Sequence, residues 1–404
     1  MSRFKKTILI SASISSLVSV CAQAQEEPSI AVGTFELTPT LNVSLLKDSN
    51  VTRSSDNEID SWVTVINPKL SFGKQIGENL ISVGVNASKG IYRSSEEDDY
   101  NDYQLFAKGE LEFDRRNRIA GSLVHTSGHD ERGTAYTVGF GDLLIKPDEY
   151  TNNSFEATYS YGAMTASANI DVNFMLRDID YEVDVLAFNP SRLRDRKEKS
   201  LGSTFYYGVS PSTDLLIDVN YALADYTGNI ANIASLDSET KSVLVGAKWE
   251  TTAASSGFAK IGYQEREFDA SSRTGFSGLK WDAGVSWNPI ERTVFEFSTA
   301  SDTQETNGQG NYIRRKDYVA NWRHEWLDRF NTVASISYSE DSYEGGTVPR
   351  TDKINEFKVA ADYQFRRWLK LITAVSYLDR NSDSTLVNFD YNRSLISFTA
   401  QVSL

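Results

Sequence analysis

The chain has 404 residues, a formal net charge of −14 and a single cysteine. A chain this acidic is a poor partner for nucleic-acid phosphates. After the first two dozen residues no run is long and apolar enough for a transmembrane helix. That absence does not exclude a membrane barrel, whose strands are apolar only at alternate positions.

The first element is a secretory signal over residues 1–24. Arg3, Lys5 and Lys6 form its basic end, and Thr7 to Val20 an apolar, serine-rich stretch too short to span a bilayer. Ala22-Gln23-Ala24 is a small-x-small cleavage site, so cleavage is expected between Ala24 and Gln25. Cys21 does not complete a lipobox, because Val20 stands where a small residue is needed. Cleavage removes the lone cysteine and three basic residues, which takes the net charge from −14 to −17 and leaves no thiol chemistry.

Residues 25–404 repeat one unit: about ten alternating residues, a short turn, another alternating run, a longer polar loop. In Leu279–Asn288, Leu279, Trp281, Ala283, Val285 and Trp287 alternate with Lys280, Asp282, Gly284, Ser286 and Asn288. Successive side chains of a strand point to opposite faces, so one face is apolar and the other charged or small. The same split runs from Phe35 to Leu45, Leu215 to Leu223, Phe357 to Phe365 and Ile396 to Leu404.

Tight turns are expected near Gly77-Glu78-Asn79, Arg115-Arg116-Asn117, Tyr161-Gly162-Ala163, Pro211-Ser212-Thr213, Ala254-Ser255-Ser256, Asn288-Pro289-Ile290, Leu327-Asp328-Arg329 and Arg366-Arg367. Long polar stretches separate them. A soluble sandwich or propeller also alternates, but it does not alternate short turns with long loops. Trp249, Trp287, Trp326 and Trp368 crowd the strand ends beside the tight turns, as rings at a membrane–water boundary do. The expected fold is all-β: a transmembrane antiparallel β-barrel of about eighteen strands. Sixteen is the alternative, because Pro147 interrupts the weak stretch from Gly128 to Asn153. An even count puts both termini in the periplasm of a Gram-negative outer membrane.

Fourteen charged positions fall on the polar strand face and are candidates to line a water-filled lumen: Glu36, Lys69, Lys108, Glu110, Asp218, Lys280, Asp282, Glu296, Arg323, Glu325, Glu356, Lys358, Asp362 and Lys370. Burying so many charges in a dry core would cost more than a fold repays. Their mixed signs predict weak ion selectivity. Arg192, Arg194, Arg196, Lys197 and Lys199 read as one basic outer loop, suited to lipopolysaccharide phosphates or an anionic glycan. The acidic run Ser95–Asp99 reads as a solvated loop.

No cofactor site, metal cage or catalytic residue is assigned. His129, Asp130 and Glu131 are three neighbours on a turn, which do not make a cage. His125 and Ser127 lie two apart on one strand face, as in the His-x-Ser pairing of outer-membrane lipid A deacylases. That spacing is common, and a lipid hydrolase is the third of three functional readings. His324, between Trp322 and Trp326, reads as an interfacial side chain.

Lys146-Pro147-Asp148-Glu149-Tyr150, followed by Tyr159-Ser160-Tyr161-Gly162 and Ala166, resembles a segment of the outer-membrane β-barrel porins of exopolysaccharide and capsule gene clusters. The turn Phe365-Arg366-Arg367-Trp368 fits the same rhythm. Leu404 departs from it, since such barrels usually end in an aromatic residue. The resemblance implies a conduit for secreted or capsular polysaccharide, docked on a periplasmic polysaccharide-export protein. A general diffusion porin for small solutes is the alternative.

Overall fold

The computed structural model describes residues 29–163, 165–182, 194–227, 234–252, 254–346, 348–385 and 387–403. The expected signal, residues 1–24, and its expected cleavage site at Ala24 and Gln25 lie outside them. A short strand, β1 (Ile30–Val32), pairs with the start of the first long strand. Eighteen long strands follow: β2 (Phe35–Asp48), β3 (Ser61–Ile76), β4 (Asn79–Tyr92), β5 (Tyr100–Glu112), β6 (Asn117–Asp130), β7 (Asp148–Tyr161), β8 (Ala168–Glu182), β9 (Arg196–Ser210), β10 (Thr213–Tyr226), β11 (Ser238–Thr252), β12 (Ser255–Phe268), β13 (Phe276–Ile290), β14 (Thr293–Glu305), β15 (Tyr312–Leu327), β16 (Phe330–Glu344), β17 (Arg350–Arg366), β18 (Leu369–Ser382) and β19 (Tyr391–Ser403).

Each long strand pairs antiparallel with its chain neighbours, and β19 pairs with β2 from Leu395↔Asp48 to Ser403↔Thr40. The sheet therefore closes on itself and leaves no edge among the long strands, which is what a lipid environment demands. The eighteen-strand reading holds. Pro147 interrupts no strand: β6 ends at Asp130, a loop follows, and Pro147 stands directly before β7.

Eight tight turns gather at one end with the starts of β2 and the finish of β19. The longer connections gather at the other end. One turn falls later than the sequence suggested. β13 runs to Ile290, and the register slips between Trp287 and Ile290. Pro289 has no N–H to give the ladder, so a bulge there carries the strand past the proline.

Residues directly opposite across an antiparallel pair share a face, so the register fixes the inside. Leu215, Ile217, Val219, Val243, Val245, Ile261, Leu279, Phe357, Ile396 and Phe398 are all exposed on the outer wall. Trp287, Trp326 and Trp368 are also exposed there, beside the tight turns, and Trp249 is half-buried. A second aromatic row lies toward the other end of the wall. Tyr103, Tyr221, Tyr263, Tyr318 and Tyr377 stand exposed on the same wall, nearer the long loops.

The long strands have 13 to 17 residues. At ~3.3 Å per residue and a tilt near ~40°, even the shortest rises roughly 33 Å along the axis. An apolar band is only about 25 Å tall. The surplus lies at the loop end, where the outer wall turns polar: Lys47 with Asp60, Lys316 with Glu340 (2.8 Å), Arg314 with Glu344 (3.8 Å).

Candidate functional site

All fourteen charged positions singled out above fall on the inner wall. Lys108 is opposite Ser122, Lys280 opposite Gly262, Lys358 opposite Ser335 and Asp362 opposite Asn331, each within the inward set. Glu36, Lys108, Glu110 and Glu296 are exposed to the interior near the tight-turn end. Several others are paired. Lys260 reaches Asp218 at 3.3 Å and Asp282 at 3.1 Å, Lys280 reaches Asp302 at 2.9 Å, and Lys358 reaches Glu356 at 2.8 Å. Asp362 is buried and accepts Asn331 Nδ2 at 3.2 Å.

Toward the long loops the inner wall changes character into a collar of arginines clamped to aspartates. Arg315 holds Asp341 through Nε at 2.6 Å and Nη2 at 2.5 Å. Arg393 donates from Nε to Asp48 at 3.0 Å. Arg350 Nε donates to Asp352 at 2.8 Å, and Arg380 binds the same carboxylate. The Arg350 guanidinium also lies 3.3 Å from the Phe389 ring centroid and 4.0 Å from that of Tyr343. Forked, planar contacts of this kind fix position as well as charge.

The collar holds a loop inside the barrel. Residues 131–147 leave β6 and carry a 3-10 turn at Ala135–Thr137. Tyr136, Thr137, Val138 and Leu144 are buried. Glu131 pairs with Arg53 of the β2–β3 loop and lies 3.7 Å from the inward Arg393. Arg132 is clamped to Asp98 and donates to Leu144 O at 3.0 Å. On the far side, the inward Arg196 donates to the Tyr136 hydroxyl at 2.8 Å, and the Tyr136 ring meets Tyr181 edge-on at 5.5 Å. Phe140 packs edge-on against Phe389 of the β18–β19 loop at 6.4 Å. Contacts from the β18–β19 loop round to β9 thus fasten one loop across the lumen.

Two glycines make this crossing feasible. Gly139 has φ +81, and a Cβ there would fall 2.2 Å from the Phe389 ring. At Gly141 a Cβ would sit 2.1 Å from Thr52 O. The positive φ at Gly139 and the close backbone at Gly141 leave no room for a side chain.

The latch resists acid. Burial alone would push the Glu131 carboxyl up, but Arg53, Arg393 and His129 outweigh it and hold the carboxyl at about 2. A group whose folded value lies below its ordinary 4.5 gives stability that is complete above about 4.5 and is lost as pH falls through about 2. The difference in conductance between the wild type and Glu131→Gln is therefore expected to stay constant from neutral pH down to about 4.5 and to vanish only as pH approaches about 2. A difference lost near neutrality in bilayer recordings would contradict the latch.

The basic outer loop is corrected. β9 begins at Arg196, so its residues divide between two faces. Arg196 points inward, bonding Glu198 Oε1 from Nε at 2.7 Å, while Lys197 and Lys199 point outward. Arg194 is buried over the Tyr136 ring, and Arg192 lies outside the described residues. A strand's alternation cannot present Arg196, Lys197 and Lys199 to one surface.

Each histidine makes a hydrogen bond to a neighbouring strand. His125 and Ser127 face outward, but the imidazole nitrogens address Asn153 Oδ1 at 2.7 Å and the Tyr103 hydroxyl at 3.4 Å, not Ser127. His129 Nδ1 lies 3.0 Å from both Asp102 carboxylate oxygens, and its ring lies tilted against Tyr100 with centroids 4.1 Å apart. His324 faces outward between Trp322 and Trp326, 2.7 Å from the Thr293 hydroxyl.

Comparison with known proteins agrees with this geometry. A family model described as "Putative beta-barrel porin 2" matches residues 26–402. No curated protein matches. Among solved structures, the FrpB iron transporter from Neisseria meningitidis (F5-1 variant) is similar with a TM-score of 0.51 at 12% identity, over 86% of this chain and 63% of that one. Pseudomonas aeruginosa OccK1 (OpdK) is similar with a TM-score of 0.50 at 10% identity, over 92% of this chain and 99% of that one. At such identities the likeness concerns the fold alone.

Proposed function

The chain belongs to the porin family whose model it matches, an outer-membrane β-barrel family, and from that premise we propose that it is a passive channel for small hydrophilic solutes, with its long loops at the cell surface. The observation that carries this reading is the loop 131–147, fastened across a charged, closed lumen. A wide barrel supplies the aqueous path, and an inward loop narrows it to the scale of small molecules.

Inner-wall charges of both signs give neither cations nor anions a continuous rail. The expected result in planar bilayers is a conducting protein whose zero-current potential in a salt gradient stays close to zero. A wild-type protein that never conducts, or one steeply selective for a single ion sign, would overturn the reading.

Orientation has its own test. The only cysteine, Cys21, lies in the expected signal. Asp56→Cys in a long loop is expected to react with a membrane-impermeant maleimide on intact cells, and Glu78→Cys in a tight turn only after lysis. The reverse pattern would invert the barrel.

The polysaccharide conduit and its periplasmic docking partner rest on the resemblance alone. A polymer would have to displace the fastened loop. Loss of surface glycan on gene deletion, with synthesis intact, would restore that reading.

A further inference from the structure

We propose that the outer wall of β5–β9 carries a seat for one phosphorylated, multiply acylated lipid of the outer leaflet, lipid A in chemical class. The proposal rests on the reading above that the long-loop end faces the cell surface.

A cleft of about 680 Å³ crosses this part of the wall. That is a ligand-sized volume. The register explains its two rows. Nearer the tight turns, Ala107, Leu123, Phe155 and Leu176 stand side by side on neighbouring strands. One step toward the long loops, the row becomes His125, Asn153, Asp178 and Lys197. Lys199 stands beside Leu176 and closes the lower row.

The floor continues toward the tight turns as a hollow. Gly109 lies opposite Gly121, and Gly121 opposite Ala157. A Cβ at Gly109 would meet nothing within 4 Å, and one at Gly121 only Glu156 O at 3.4 Å. Packing does not require either glycine. Their effect is to leave open an outward surface that Leu, Val or Phe fills on most other strands, as an acyl chain needs.

The ledge above suits a phosphorylated headgroup. Lys197 and Lys199 side chains are 54% and 51% exposed. Each makes one contact with an exposed carboxylate, Asp178 at 3.6 Å and Asp225 at 3.2 Å. Such exposed pairs are worth little, so the ammonium protons remain available to a phosphate. The polar ledge lies where the apolar band ends, which is where a lipid's headgroup meets its chains. A zwitterionic phospholipid would gain less from two lysines than a diphosphorylated one.

Native mass spectrometry of the full barrel in detergent, titrated with hexa-acyl diphosphoryl lipid A and with phosphatidylcholine, tests this. The wild type is expected to retain one lipid A. Lys197→Gln with Lys199→Gln is expected to lose about tenfold in affinity, and Ala107→Phe, which fills the cleft, a comparable amount. Phosphatidylcholine should bind weakly to all three. Conductance should stay at the wild-type level, since these residues face away from the lumen and a failed fold would show there. Equal lipid A retention by all three proteins would overturn the proposal. So would a dimer, in place of the lipid adduct, that Ala107→Phe abolishes. Labelling that inverted the barrel would remove the leaflet argument yet leave this titration to be read separately.

Discussion

Excising residues 134–143 is expected to raise single-channel conductance severalfold while the barrel stays closed and heat-modifiable on gels. The excision removes Tyr136, Val138 and Phe140, the side chains that carry the loop across the lumen, and spares every strand. The stem is close at its base: the Arg132 guanidinium donates to Leu144 O at 3.0 Å, and the place where a Gly141 Cβ would stand lies 2.7 Å from Gly133 N. Arg196 loses the Tyr136 hydroxyl but keeps Glu198 at 2.7 Å, so no bare charge is left on the wall. Arg53 and Arg393 keep Glu131. A variant that conducts at the wild-type level would show that the narrowest point lies elsewhere, and would remove the loop from the proposed function. Glu131→Gln is the milder counterpart: it weakens the latch without shortening the chain, and should produce noisier, partly enlarged conductance.

The wall of this barrel was legible in the sequence because its determinants are local. A strand's phase is written in alternate residues, so Leu279–Asn288 and Ile396–Val402 disclose which side faces lipid without knowledge of their neighbours. Turns are similarly local, and Pro289 misplaced one only because a bulge absorbed it. The loop and the collar are not local. Arg393 and Asp48 are 345 residues apart, and Arg53 and Glu131 are 78 apart. Nothing in either neighbourhood announces the other. A weak signal did exist in the row of arginines near strand ends on the inward phase, Arg196, Arg266, Arg315, Arg350, Arg380 and Arg393. Six arginines on a wall that must pair its buried charges imply acids within reach. The same blindness made Arg192 to Lys199 look like one basic loop, because runs of like charge suggest a solvated surface until the register separates them.

Asp352→Ala is expected to be the most destabilising single inner-wall substitution, costing ~3–5 kcal/mol. Asp352 is fully buried and takes two guanidinium groups, from Arg350 beside it and Arg380 across the β17–β18 pair. Removing the carboxylate leaves two cations facing each other. Arg350 keeps Gln309 Oε1 at 2.8 Å and two aromatic faces, and Arg380 keeps the Tyr343 hydroxyl at 3.2 Å. Neither is a counter-charge. The cost arises from the stranded cations more than from the lost attraction, so Asp352→Ala combined with Arg350→Met and Arg380→Met should recover much of the stability. Glu296→Gln, at an exposed inner-wall site near the tight turns, should leave the unfolding midpoint in place. Urea unfolding of the barrel in lipid vesicles, followed by tryptophan fluorescence, reads all three. If the triple variant were no more stable than Asp352→Ala, the collar would be a set of independently favourable pairs. If it recovers, the arginines are tolerated for what they hold in place, and that is the loop across the lumen.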